Sequence, residues 1–109
     1  MADPRQGDVW WASLPHPFGR HPVVVLTRTG AIPRLTRITI APLTRTIHMI
    51  QSEVVLSPED GVATVCAVSV DNIQTIGKGL LDKRMTRLDA GTMSEVFTAI
   101  RFAFDMPAG

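Results

Sequence analysis

The run Pro22-Val23-Val24-Val25-Leu26-Thr27 limits this chain more than any other stretch. Four consecutive apolar residues, three of them β-branched, stand between Gly19-Arg20-His21 and Arg28-Thr29-Gly30. A short apolar run framed by turn residues reads as a strand buried on both faces, since a strand with one wet face alternates. Proline can open a strand but cannot donate within its ladder, so Pro22 is read as the start. Arg20 and His21 then stand at the mouth of a central strand, fixed by its backbone and exposed by the loop before it. Side chains presented in that way commonly carry function.

The rest of the chain supplies partners for that strand. Val9-Trp10-Trp11-Ala12-Ser13 reads as a first strand, after Gly7 and Asp8. The loop Leu14–Gly19 follows, and strand two is the run above. After a loop from Arg28 to Pro33, Leu35–Ala41 is expected to form strand three, with Ile38 and Ile40 on one face. Pro42–His48 is expected to leave the sheet as a loop rich in hydroxyl and cationic side chains. Ser52–Leu56 and Thr64–Val70 read as strands four and five, separated by the turn Ser57-Pro58-Glu59-Asp60-Gly61. Asp71-Asn72-Ile73 is irregular, and small strands are expected near Gln74–Ile76 and Arg84–Arg87. The period then changes. Met93, Val96, Phe97, Ile100, Ala103 and Phe104 recur at three and four, the stripe of an amphipathic helix, with Asp89 as its N-cap and Pro107 as its stop. Short strands and one terminal helix predict a mainly β fold, a small barrel or strongly bent sheet with a helix against it.

At 109 residues the chain is the size of one domain, read as spanning 1–109, and can bury a core without staples. No apolar run approaches the roughly 20 residues that cross a bilayer, so no membrane role is expected. The polar start Met1-Ala2-Asp3-Pro4-Arg5-Gln6 lacks the apolar core of a signal peptide. A single cysteine, Cys66, fits a reducing cytoplasm. Net charge is only +1, but its placement is uneven. From Val9 to Ser52 there is no Asp or Glu, while that interval holds Arg20, Arg28, Arg34, Arg37, Arg45 and all three histidines. An acid-free, basic first half points to a polyanion as partner.

Several chemistries can be set aside. His16 and His21 are five apart, His48 is alone, and no second cysteine exists, so no zinc pattern fits and neither metal nor cofactor is expected. Cys66 sits mid-strand among Val65, Ala67 and Val68, as a buried small hydrophobe does. Gly77-Lys78-Gly79 lacks the other parts of a phosphate loop, and no Gly-x-Ser-x-Gly elbow occurs. What remains is a cationic and hydroxyl set at strand ends: Arg20, His21, Arg28, Thr44, Arg45, Thr46 and His48, with Asp71 downstream. Guanidinium groups hold a phosphate and stabilise the extra charge of its transition state. An imidazole or carboxylate moves the proton of a ribose 2′-hydroxyl.

Six segments together resemble one family, in its order. They are Gly7-Asp8-Val9-Trp10-Trp11, Pro22–Thr27, Ala41-Pro42-Leu43-Thr44, Ser52–Leu56, Asp71–Ile76 and Arg84–Leu88. The chain is similar, over nearly its whole length, to the MazF/PemK toxin endoribonucleases. That resemblance implies an SH3-like barrel of the MazF/PemK/CcdB type with a C-terminal helix, acting as a cytoplasmic homodimer. It implies metal-independent cleavage of single-stranded RNA at short sequences, leaving a 2′,3′-cyclic phosphate and a 5′-hydroxyl. It also implies a cognate antitoxin that threads a disordered segment across the active face. Carried over by position, the family's catalytic threonine falls on Thr44. Its catalytic arginine, just before the strand-two proline, falls on His21, with Arg20 one place earlier. Asp71 matches an aspartate given a general-base role in some members, whose companion arginine is here Ser69. Arg28, Arg37, Arg45, Thr46 and His48 are the candidates for holding RNA.

The residues leave two other readings open. One is a non-catalytic barrel that poisons a protein target, such as a topoisomerase, through its helix face. The other is an RNA-binding barrel whose nuclease activity has decayed at His21. A homodimer is expected from the resemblance, and from a strand two too continuous for a sheet with one wet face.

Overall fold

The computed structural model describes residues 3–107; Met1 and Ala2, the first residues of the polar start, lie outside the described residues. Seven strands and one α-helix make up its regular structure: β1 (Asp8–Leu14), β2 (Gly19–Val25), β3 (Arg37–Thr44), β4 (Glu53–Leu56), β5 (Cys66–Ser69), β6 (Gln74–Gly77), β7 (Leu81–Arg87) and α1 (Ala90–Ala103). Short 3₁₀ turns fill most connections. The strands pair in the order β4-β5-β3-β2-β1-β7, with β6 added to β3, and every pairing is antiparallel. The expected bent, barrel-like sheet with a terminal helix is what forms, its ladder open between β4 and β7.

The strand buried on both faces is β2. Val24 joins a core with Val9, Ala41, Leu43, Val68 and the α1 residues Met93 and Val96. Val23 and Val25 point the other way, into a second core with Trp10, Ile32, Ile38 and Ile40. Two cores separated by one sheet require β2 to be apolar at consecutive positions, which explains its missing alternation.

Most strands differ from the sequence reading by one to three residues at an end, and three boundary differences are the most informative. β2 starts at Gly19, not Pro22, because β1 pairs with it from Gly19 onward and only the β3 side waits until Val23. A proline is tolerated where one flank of the ladder has not yet formed. β3 does not end at Ala41. It runs through Pro42 to Thr44 by changing partner, from β2 and β6 to β5, where Leu43 pairs with Val68 and Thr44 with Ala67. The helix ends at Ala103, ahead of Pro107, with Asp105 in the left-handed region at φ +51. Phe104 therefore falls past the last turn and lies exposed, outside the buried stripe. At its other end Asp89 caps α1 as expected, its Oδ1 accepting from the Thr92 N–H at 2.8 Å.

Candidate active site

The antiparallel pairing of Val23 with Pro42 sets the start of β2 against the end of β3. Arg20 and His21 thus meet Thr44 at one corner of the sheet. Neighbouring residues on a strand face opposite ways, so the two cationic side chains diverge. Arg20 lies over the Trp11 ring, 4.5 Å from its centroid, and its Nη2 and Nε donate to Asp82 at 3.1 and 3.3 Å. His21 turns to β3, where its Nε2 donates to the Leu43 carbonyl. Thr44 Oγ1 accepts the Thr46 N–H at 3.1 Å, which leaves its hydroxyl hydrogen free to donate outward.

Two clefts adjoin this corner. One, of about 430 Å³, is lined by Trp11, Arg20, Arg45, Thr64, Cys66 and Met85. The other, of about 640 Å³, is lined by Phe18, His48, Glu53, Asp71, Asn72 and Gln74. His21, Leu43 and Thr44 belong to both and form the ridge between them. The register of β7 shapes the first cleft. Opposite β1 it shifts twice, so that Asp82 and Met85 have no cross-strand partner. Such bulges re-aim side chains. Here one extra residue holds Arg20 and the other lines the cleft.

The sequence candidates divide by place. Arg20, His21, Thr44 and Arg45 meet at the first cleft; His21, Thr44, His48 and Asp71 meet at the second. Thr46 is exposed beside them, touching Thr44 through its backbone. Arg37 opens β3, seven residues from Thr44 or up to roughly 23 Å along a strand, and donates to the Thr75 carbonyl at 2.8 Å. Arg28 precedes the 3₁₀ turn Thr29–Arg34, beyond the far end of β2. Neither lines either of these two clefts. Cys66 lines the first cleft but is nearly buried. Burial, with the Asp60 charge behind it and Arg45 opposing, pushes its thiol up from the ordinary 9.0, so it stays protonated at neutral pH.

Sequence reasoning missed the acids that meet these cations. Asp82 is 62 residues from Arg20, and no local signal joins them. Glu53 holds the loop before β4: its Oε1 accepts the His48 N–H at 2.8 Å and its Oε2 the His48 Nδ1 at 3.0 Å. Burial alone would raise the Glu53 carboxyl, but the His48 side-chain bond, the His48 backbone bond, the His48 charge and the Met49 N–H together hold it below its ordinary 4.5. A carboxyl with a lower value in the folded state stabilises the fold above its unfolded value, and that contribution is lost as pH falls through the folded one. The urea midpoint of the protein is therefore expected to drop on acidification below about pH 4.5. In Glu53→Gln that part of the drop should vanish; an unchanged acid limb in the variant would remove Glu53 as its source.

A bent antiparallel sheet with one helix, carrying guanidinium, imidazole and hydroxyl groups where two strand ends meet, defines a small barrel-like protein with a basic, hydroxyl-lined corner. Comparison with known proteins narrows this. A family described as PemK-like, MazF-like toxin of type II toxin–antitoxin system matches residues 5–104. The chain is 42% identical over 103 residues to the probable endoribonuclease MazF5 of Mycobacterium tuberculosis, covering 94% of each. Among solved structures, the Mycobacterium tuberculosis toxin MazF-mt6 superimposes with a TM-score of 0.86 at 33% identity, over 93% of this chain and 99% of that one. An endoribonuclease from a Mycobacterial species gives 0.87 at 25% identity, over 100% and 98%. The chain belongs to the PemK-like, MazF-like toxin family of type II toxin–antitoxin systems.

Proposed function

We propose that this toxin acts as a cytoplasmic endoribonuclease, cutting single-stranded RNA at short sequences without a metal ion and leaving a 2′,3′-cyclic phosphate and a 5′-hydroxyl. His21 and Thr44 on the ridge between the two clefts, with Arg20 beside them in the first, carry this reading. A scissile phosphate seated on the ridge would have one nucleoside on each side. Arg20 grips the phosphate. Its bond to Asp82 joins two side chains about half exposed, a pair worth at most about 1 kcal/mol, so exchange for a phosphate costs little. Thr44 donates to a non-bridging oxygen, and His21 moves a proton. Asp71 faces the second cleft with its Oδ2 already accepting from the Ser52 hydroxyl.

Relatives named as endoribonucleases over nearly the full chain support RNA as the substrate class. The test is a long unstructured RNA incubated with the protein in EDTA, followed by mapping of the cut ends. Cyclic phosphate ends at a short recurrent sequence are expected, and both Arg20→Ala and His21→Ala should slow their formation. Intact RNA, or cutting that EDTA abolishes, would overturn the reading. His21→Ala or Arg20→Ala at the wild-type rate would remove that residue from it.

Partners follow from the family. The antitoxin is expected to lay a disordered segment across the clefts. The homodimer loses one of its arguments, since β2 is covered on both faces within the chain. It gains another in the exposed apolar side chains Phe102 and Phe104 near the end of α1 and Val55 on the edge strand β4. Light scattering at micromolar concentration should give twice the chain mass; a stable monomer would count against it.

A further inference from the structure

The second cleft holds a pair of groups that this scheme leaves idle. His48 meets Glu53 twice, through its backbone N–H and through Nδ1. A carboxylate only accepts, so Nδ1 carries a hydrogen and the neutral ring keeps its lone pair on Nε2. Glu53 is nearly buried, with 5% of its side chain exposed, whereas the ring it aims is 61% exposed at the rim of the cleft. The next residue, Met49, is held at φ +56, a conformation that side-chain-bearing residues seldom adopt. Strain of that kind persists where the surroundings enforce it, and it collects at functional sites. Here Glu53 enforces it, by holding the backbone beside the turn.

His21 has the complementary arrangement. A carbonyl also only accepts, so its bond to Leu43 keeps the hydrogen on Nε2 and leaves Nδ1 as its open nitrogen. Two imidazoles, each locked at one nitrogen and open at the other, thus line one cleft with Thr44. Asp71 and Glu53 are the other titratable groups on its walls, and Arg45 lies across the ridge. Asp71 has one oxygen already taken by the Ser52 hydroxyl.

We propose that His48 is the general base of the cleavage step, oriented by Glu53, with His21 as the general acid. This assignment rests on the endoribonuclease reading. The 2′-hydroxyl proton passes to His48 Nε2 as O2′ bonds to phosphorus. The bond from phosphorus to O5′ breaks, and O5′ takes a proton from Nδ1 of His21, which enters the step as the imidazolium. Charge and atoms balance, the two rings exchange protonation states, and water resets them.

Cleavage rates against pH test this in wild type, His48→Asn and Asp71→Asn. The asparagine amide can still donate to Glu53, so the loop clamp survives while the base is lost. Wild type should give a bell-shaped profile, and Asp71→Asn should keep both limbs. His48→Asn should be about 100-fold slower or worse and lack the limb that rises with pH. His48→Gln offers the same reading should the asparagine variant fail to fold. A second substrate, with sulfur replacing the scissile 5′-oxygen, separates base from acid, since a thiolate leaves without a proton. On it His21→Ala should regain most of its lost rate and His48→Asn should not. A His48→Asn enzyme that keeps the rising limb, or recovers on the sulfur substrate, overturns the assignment and leaves the nuclease reading standing. A wild-type protein that leaves RNA intact overturns both.

Discussion

Thr44→Val will leave the protein folded and slow RNA cleavage by roughly 30- to 1000-fold, equivalent to about 2–4 kcal/mol of lost transition-state stabilisation. Valine matches threonine in shape and in strand preference, so the pairing of position 44 with Ala67 is kept. The hydroxyl has two partners to lose. One is the Thr46 N–H, which is exposed and turns to water at small cost. The other is the phosphate oxygen, where charge grows as the fifth bond to phosphorus forms. An oxyanion left without that donor is the expensive loss. Thr44→Ser, which retains the hydroxyl, should recover most of the rate. The measurement is cleavage of a short RNA under single-turnover conditions, with thermal melting as the folding control. Unchanged cleavage by folded Thr44→Val would remove this residue from the site.

Asp8→Ala should cost about 2–4 kcal/mol of stability and lower the melting temperature by roughly 10–20 °C. Asp8 is 1% exposed, yet its carboxylate takes the Arg5 N–H at 2.9 Å, the Trp10 Nε1–H at 3.2 Å and the Arg87 Nε–H at 2.8 Å. Arg84 adds a longer contact at 3.9 Å. Alanine strands the indole donor of a nearly buried tryptophan and unties β1 from β7. The expected range sits lower than the roughly 3–5 kcal/mol typical of an enclosed ion pair, though it overlaps it, because both arginines are about half exposed and can turn to solvent. Urea unfolding should show the shift in midpoint with an unchanged slope. A shift under about 0.5 kcal/mol, the size of an ordinary surface change, would show that the carboxylate is not holding the two strands.

What the sequence revealed, and what it hid, divides by range. The apolar run of β2, the N-cap Asp89 and the stripe through Met93 and Val96 are local patterns, and each was legible without tertiary knowledge. So were Thr44 and the Arg20-His21 pair, because the family's segments frame them directly. The end of β3 was not. Pro42 looks like a terminator when only one partner strand is considered, and its tolerance follows from a change of partner that no local pattern encodes. The acid-free half points, in the sequence, to a polyanion as partner. In space two of its basic side chains are met by acids from the other half: Arg20 by Asp82 and His48 by Glu53. Asp8 looked like turn punctuation, and only the folded position of Arg87, 79 residues on, makes it a hub.

The change of partner along β3 has a consequence for how this protein can diversify. Arg37–Ile40 pair with β6, Ile40–Pro42 with β2 and Leu43–Thr44 with β5, so the backbone leading into Leu43 and Thr44 is where one ladder hands over to the next. A shift there would have to be accommodated on both sides together. The segments that rim the clefts carry no such obligation: Pro15–Phe18 and 45–52 lie outside the ladders and already include a left-handed methionine and exposed apolar side chains. Inheritance can therefore edit the rims around the held His48 and Ser52 while the rail beneath them stays put. New recognition preferences should accumulate as loop changes, with the reactive corner passed on unaltered.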